Sequence, residues 1–147
     1  MRLCILSRRA SLYSTSRLIS AAEDRGHEVV VADPLGCYLM VEPDHPRIYH
    51  GTADISDCDV VIPRIGASIT EYGLAVVNQF ETLGVPVVNG SSAIGRARDK
   101  LKCLQLLAQR GLPVPKTLMA RDPEHIHEFL KRVGGTPVVS RAWRTFT

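Results

Sequence analysis

No stretch of this chain approaches the roughly 20 uninterrupted apolar residues that a membrane-crossing helix requires, and no apolar block precedes the first arginines. A soluble protein of the cytoplasm, away from membranes, is expected. The four cysteines, Cys4, Cys37, Cys58 and Cys103, are scattered and form no Cys-x-x-Cys pair, so neither a zinc pattern nor a disulfide framework is indicated. Cys4 and Cys103 lie in apolar periodic segments and are expected in the core as reduced thiols. The turn after the first apolar run, Ser7-Arg8-Arg9-Ala10-Ser11, has no glycine. A dinucleotide site needs Gly-x-Gly-x-x-Gly there so that backbone can approach a pyrophosphate, which argues against nicotinamide binding even though Asp33 stands where a ribose-binding acid would. There is no P-loop, no Gly-x-Ser-x-Gly, and no cysteine with an evident histidine partner. His125 and His127, two residues apart on a helical segment, face different sides and lack a third ligand, so they are read as a surface pair. Internal repeats and low-complexity tracts are absent.

Neither basic nor acidic residues are in strong excess. With 18 basic against 15 acidic residues the net charge of +3 is too mild for a DNA binder and fits anionic small molecules better. At 147 residues with 45% hydrophobic content, the chain can build a real core. Asn89-Gly90-Ser91 matches a glycosylation sequon but reads as a turn.

What is present is an alternation of strand and helix signals. Leu3–Leu6 is a short apolar run; Leu12–Arg25 carries Leu18, Ile19 and Ala22 on one helical face and ends at Gly26; Val29–Ala32 is a second apolar run. Together they predict a βαβ unit with parallel strands. Residues 33–55, rich in proline and glycine, predict an excursion with a small hairpin around Tyr38–Met40 and Arg47–Tyr49. Asp59–Pro63 resumes the sheet, Gly66–Leu83 is helical with Ile69, Tyr72, Val76 and Phe80 as its buried stripe, and Val85–Val88 is the next strand. A short helix over Asn89–Ile94 is expected, with Ser91 or Ser92 as N-cap. Lys116–Met119 is expected to be extended, followed by a helix from Asp122-Pro123 to Val133 and a strand at Pro137–Val139. The fold class is α/β, a parallel sheet with flanking helices. A domain boundary is placed near Ile94–Ala97, dividing residues 1–95 from 96–147.

In open α/β sheets ligands collect beyond the carboxyl ends of the strands. Here those positions are polar: Ser7-Arg8-Arg9, Asp33, Arg64-Ile65-Gly66 and Asn89-Gly90-Ser91-Ser92. Arginine and helix-N-terminal amides brought to one crevice suit a carboxylate or phosphate. A second cue is Lys100. Leu101, Leu104, Leu107 and Ala108 recur at helical spacing, Asp99 can cap the start, and Gly111 with Pro113 ends the helix. A lysine at a helix N-terminus opposes the macrodipole, so either an external anion such as a phosphate meets it or it lies on a solvated face.

Four segments in order, Ile5-Leu6-Ser7-Arg8, Asp33-Pro34-Leu35-Gly36-Cys37-Tyr38, Asp59 to Gly66, and Ala97-Arg98-Asp99-Lys100-Leu101, resemble the RimK family of ATP-grasp ligases over residues 1 to about 139. The resemblance implies a Rossmann-like pre-ATP-grasp domain followed by the start of a two-lobed ATP-grasp domain. It also implies ATP and magnesium as cofactors: ATP phosphorylates a carboxylate, and an amine displaces phosphate to form an amide. In RimK enzymes glutamate is added to the C-terminus of a ribosomal protein, so glutamate and an acidic C-terminal peptide are the implied partners, with an oligomer a further option. By resemblance, Lys100 is the first-lobe lysine that touches ATP phosphates, and Ser7, Arg8, Arg64 and Gly66 face the substrate carboxylates. A second ATP lysine is due in a Pro-Val-Val-x-Lys strand, and that position is Arg141, followed by Ala-Trp-Arg-Thr-Phe-Thr.

Family members continue into a glycine-rich loop, an adenine pocket and acidic magnesium ligands. The expectation is therefore a truncated or frame-shifted copy that does not catalyse ligation alone, and a Leu-Glu codon pair read one base out of phase would give Trp143-Arg144. The alternative is a non-catalytic α/β module that binds an acidic peptide or partner subunit through Arg8, Arg64 and Arg98. A third reading is an unstable product whose Lys116–Met119 and Val138-Val139 segments lack sheet neighbours.

Overall fold

The computed structural model describes residues 1–119 and 126–134. The chain divides into two compact units, Met1–Cys103 and Leu104–Thr147.

The first unit is built on a parallel sheet of order β2-β1-β6, from β1 (Arg2–Leu6), β2 (Glu28–Ala32) and β6 (Val60–Pro63). β1 is central and lies between two layers, which is why it reads as an unbroken apolar run rather than an alternating one. Leu3 and Ile5 pack with Ala22, Leu18 and Ile19 of helix α1 (Tyr13–Glu23). Cys4 and Leu6 point the other way, into a larger cluster with Val76, Val77 and Phe80 of helix α2 (Thr70–Thr82). Gly26 closes the first helix in the left-handed region, at φ +73°.

The expected hairpin is there and has a third strand. β3 (Cys37–Met40), β4 (Arg47–His50) and β5 (Ala53–Asp54) form an antiparallel sheet with Tyr38 opposite Tyr49. Helix α2 guards the β3 edge by donating to it: Tyr72 OH bonds the Cys37 carbonyl at 2.8 Å, and the buried Gln79 amide bonds the Met40 carbonyl at 3.1 Å. Tyr72 is therefore not part of a buried stripe but 43% exposed, because its hydroxyl needs a partner and finds one at the sheet rim. Gly73, Val77 and Gln79 join Val76 and Phe80 on the buried face.

Two further expectations are corrected. The strand over 85–88 shrinks to a single bridge, Val87 beside Val61, because Pro86 has no N–H and the Val85 N–H is spent on the Phe80 carbonyl at the end of α2. The short helix after it, α3, spans Ser91–Arg98, and no serine caps it. Gly90 is its N-cap residue, and the Ser91 N–H is instead taken by the Glu81 carboxylate at 3.0 Å.

Helix α4 (Lys100–Gln109) follows directly, its Lys102 N–H bonded by the Asp99 carboxylate at 2.9 Å. It ends at Gly111, φ +71°, where Leu112 N–H reaches back to the Leu107 carbonyl. Cys103 is half-buried rather than core. In the second unit residues 116–119 make no ladder, and α5 (Ile126–Val133) carries an exposed Glu128–Arg132 pair at 3.1 Å. The expected helix start at Asp122-Pro123, the strand at Pro137–Val139, and the placement of His125 and the His127 side chain lie outside the described residues. No helix among the described residues is long and apolar enough to cross a membrane.

Candidate functional site

An open cleft of about 720 Å³ lies beyond the carboxyl ends of β1 and β6. Three chain segments meet there: the start of α1, the β6–α2 connection and helix α3. Each is positioned by the sheet. The Arg64 N–H donates to the Leu6 carbonyl at 2.8 Å, so the residue after β6 continues the ladder before the chain turns away. Its guanidinium is exposed and donates to Ser14 Oγ at 3.1 Å. Opposite, Arg98 at the end of α3 donates to the Ile65 carbonyl.

Electrostatically the cleft is a positive mouth. No carboxylate among the described residues pairs with Arg64 or Arg98. The α1 N-terminus has Leu12 as its cap residue, makes no side-chain cap and carries no acid in its first turn. Among the described residues nothing compensates its first amides or the positive end of its dipole. Three other helical starts are satisfied by a carboxylate: Asp33 caps the turn at Pro34–Gly36, Glu81 holds α3 and Asp99 holds α4, whereas the start of α2 at Ile69 has no side-chain cap but carries Glu71 in its first turn. Two guanidiniums beside a free helix mouth can take a carboxylate or a phosphate bidentately.

The predicted residues do not all gather in this cleft. Arg64 and Gly66 line it. A Cβ on Gly66 would meet no atom within 4 Å, so its φ of −75° and the open room leave the cleft wall bare. Ser7 lies beneath the floor, 1% exposed, with its hydroxyl shared between Thr15 Oγ1 at 2.9 Å and the Arg9 carbonyl at 3.3 Å. It ties the β1–α1 loop to the first turn of α1. Arg8 is exposed on that loop and does not line the cleft. Lys100 stands at the first position of α4, exposed, and also outside the lining. Arg141 lies outside the described residues. Asn89, one of the strand-end positions, lines the cleft as well, and so do Ser14 and Thr15, which the strand-end rule does not reach. Their signal was available in Tyr13-Ser14-Thr15-Ser16, a polar helix start with no capping acid.

Among the described residues no cluster of three His, Cys, Asp or Glu side chains could hold a metal ion.

Comparison with known proteins gives a consistent picture. Residues 1–94 match the RimK pre-ATP-grasp domain, and residues 97–145 match the RimK-like ATP-grasp domain. A protein of Hydrogenovibrio crunogenus named probable alpha-L-glutamate ligase is 52% identical over 139 residues, covering 95% of this chain and 46% of the relative. The chain spans about half the length of the curated relatives it matches. Among solved structures, a RimK domain ATP-grasp protein from Sphaerobacter thermophilus superposes with a TM-score of 0.68 at 26% identity, over 91% of this chain and 47% of that one. The ATP-grasp ligase PsnB, solved with a minimal precursor, magnesium and ADP, shares the fold with a TM-score of 0.64 at 22% identity, over 90% of this chain and 50% of its own.

Proposed function

The chain belongs to the RimK family, and from that premise we propose that it is the N-terminal portion of an ATP-dependent carboxylate-amine ligase whose cleft holds the acidic end of a substrate. In this reading residues 1–95 form the pre-ATP-grasp domain and residues 96–147 begin the first ATP-grasp lobe. The observation that supports it most directly is the meeting of Arg64, Arg98 and the uncapped α1 N-terminus on one cleft. A glutamate side chain or peptide C-terminus presents the carboxylate oxygens that such a mouth accepts. Ser14 orients the Arg64 guanidinium, and the buried Ser7–Thr15 bond fixes the α1 turn that supplies Ser14. The complete activity would add glutamate to a protein C-terminus, with a ribosomal protein as the family's acceptor.

ATP enters this proposal through Lys100, and Arg141 would replace the second ATP-contacting lysine. Bound magnesium and ATP supply phosphoryl transfer to the substrate carboxylate in such ligases. In this proposal the chain by itself binds substrate and does not ligate. The experiment is calorimetric titration of a glutamate-ended peptide, with and without Mg-ATP, beside a turnover assay with free glutamate. Binding without turnover, lost about 10-fold or more in Arg64→Ala, is the expected result. Turnover by the purified chain would refute the inactivity, and binding indifferent to Arg64→Ala would refute the site. A module that captures an acidic peptide for its own sake is the second reading, favoured by the cleft lying wholly within the first compact unit. Unaltered affinity in the absence of nucleotide supports it.

A further inference from the structure

We propose that helix α3 is a hinged wall of the cleft, clamped at both ends by polar contacts, so that releasing either clamp opens the site without unfolding the sheet. The first observation is burial. None of the residues Ser91–Arg98 is buried, whereas α2 on the other side of the same contact buries five. An element that contributes nothing to the core opens locally at a free energy far below that of global unfolding. The inner face of this helix, through Ala93, Ile94, Ala97 and Arg98, nevertheless makes one side of the cleft.

The clamps are specific. At the front, the Glu81 carboxylate reaches across from α2, one oxygen accepting the Ser91 N–H at 3.0 Å and the other the Ser91 hydroxyl. Gly90 makes room for it: a Cβ there would sit 2.4 Å from Glu81 Oε1. At the rear, the Arg98 guanidinium donates to the Ile65 carbonyl, and Ile65 is itself anchored in the core at 7% exposure. Beyond Arg98 the helical path stops at Asp99, whose extended backbone (φ −84°, ψ 101°) separates α3 from α4. The helix is therefore a short rod between two breaks, packed on α2 only through half-buried residues such as Ile94 and Gly95 and held in place by polar bonds to α2 and to the β6–α2 connection. Because Arg98 is both clamp and cleft residue, an anion that draws its guanidinium inward competes with the Ile65 carbonyl, which links occupancy of the site to the position of its wall. That linkage rests on the reading of the cleft as the substrate site; the clamp itself does not.

Hydrogen exchange followed by mass spectrometry on the whole chain tests the clamp without any ligand. Glu81→Ala and, independently, Gly90→Ala should each speed exchange of the helical amides of residues 94–98 about 10-fold, the loss expected for one charge-assisted bond. The β1 amides should not change. Glu81→Gln, which keeps an acceptor, should restore most of the protection. Unchanged exchange in both alanine variants overturns the proposal, as does parallel loss of protection in α3 and β1, which would make α3 part of the global unit. A second arm adds a glutamate-ended peptide. A change in α3 protection on saturation supports the linkage, whereas binding that leaves α3 unaffected refutes it. Failure to bind at all, with the clamp effects intact, counts against the reading of the cleft and not against the hinge.

Discussion

Replacing Gly73 by alanine sets two effects of opposite sign against each other. Gly73 lies inside α2, where alanine is favoured over glycine by about 1 kcal/mol. A Cβ at that position, however, would come within 2.6 Å of Ile65 Cγ2, 3.0 Å of Cδ1 and 3.3 Å of Cγ1. Cγ2 is fixed to the branched carbon of a buried side chain, and rotating it away swings Cγ1 and Cδ1 into the same helix. Ile65 must then leave its rotamer or push the β6–α2 connection outward, at a cost of about 1–3 kcal/mol. The overpacking wins, and the net expectation is a loss of about 1 kcal/mol. For a unit of this size that corresponds to a fall of roughly 4–8 °C in Tm. Urea unfolding should show a lower midpoint with an unchanged slope. The partner variant decides the cause. Ile65→Ala removes every atom in the contact, so adding Gly73→Ala to it should stabilise by about 1 kcal/mol, the bare helix preference. If Gly73→Ala stabilises the otherwise unaltered chain by that amount, or if the two substitutions prove additive, the close approach does not constrain the helix and the reasoning fails.

Ser56→Ala should be costly for a single hydroxyl, because Ser56 Oγ accepts the Ile48 N–H at 2.8 Å in the buried core and its loss orphans that donor. A penalty of about 1–3 kcal/mol by denaturant titration is expected, and a change within 0.5 kcal/mol would show that water reaches Ile48. The Cys37 thiol gives a pH signature: burial first, and the Asp33 charge second, push it from about 9 up to about 11. The folded form holds its proton where the unfolded chain releases it, so stability present below pH 9 should decline as pH rises from about 9 to about 11. Unfolding midpoints at pH 8 to 11 should show a shallower alkaline decline in Cys37→Ala than in the parent chain, and identical declines would exclude the thiol as its cause.

Most of the fold is legible in the sequence because its signals are local. The apolar runs at Leu3–Leu6 and Val29–Ala32, with Gly26 between, need only period and punctuation to be read. The misreadings occur where a distant partner intervenes. Tyr72 fits a helical stripe by spacing, yet its hydroxyl is drawn to the Cys37 carbonyl, 35 residues away. Serines at 91 and 92 look like caps, but a carboxylate from residue 81 occupies that role. The site is legible to the same degree. Arg64 and Gly66 follow directly from their place after a strand, whereas Ser14 and Arg98 depend on how α1 and α3 approach that strand, and Ser7, chosen for the same positional reason as Arg64, is held under the floor by Thr15.

The placing of β1 between β2 and β6 has a consequence for how the molecule comes into being. The middle strand of the sheet precedes both of its neighbours in the chain, and one flank of Leu3–Leu6 stays bare until residues 60–63 have been made, with Asp59 then accepting from the Arg2 N–H across 57 positions. A nascent chain that stops short of residue 60 carries this apolar strand unsheltered, so the centre of the sheet is the part that must wait longest for its neighbour.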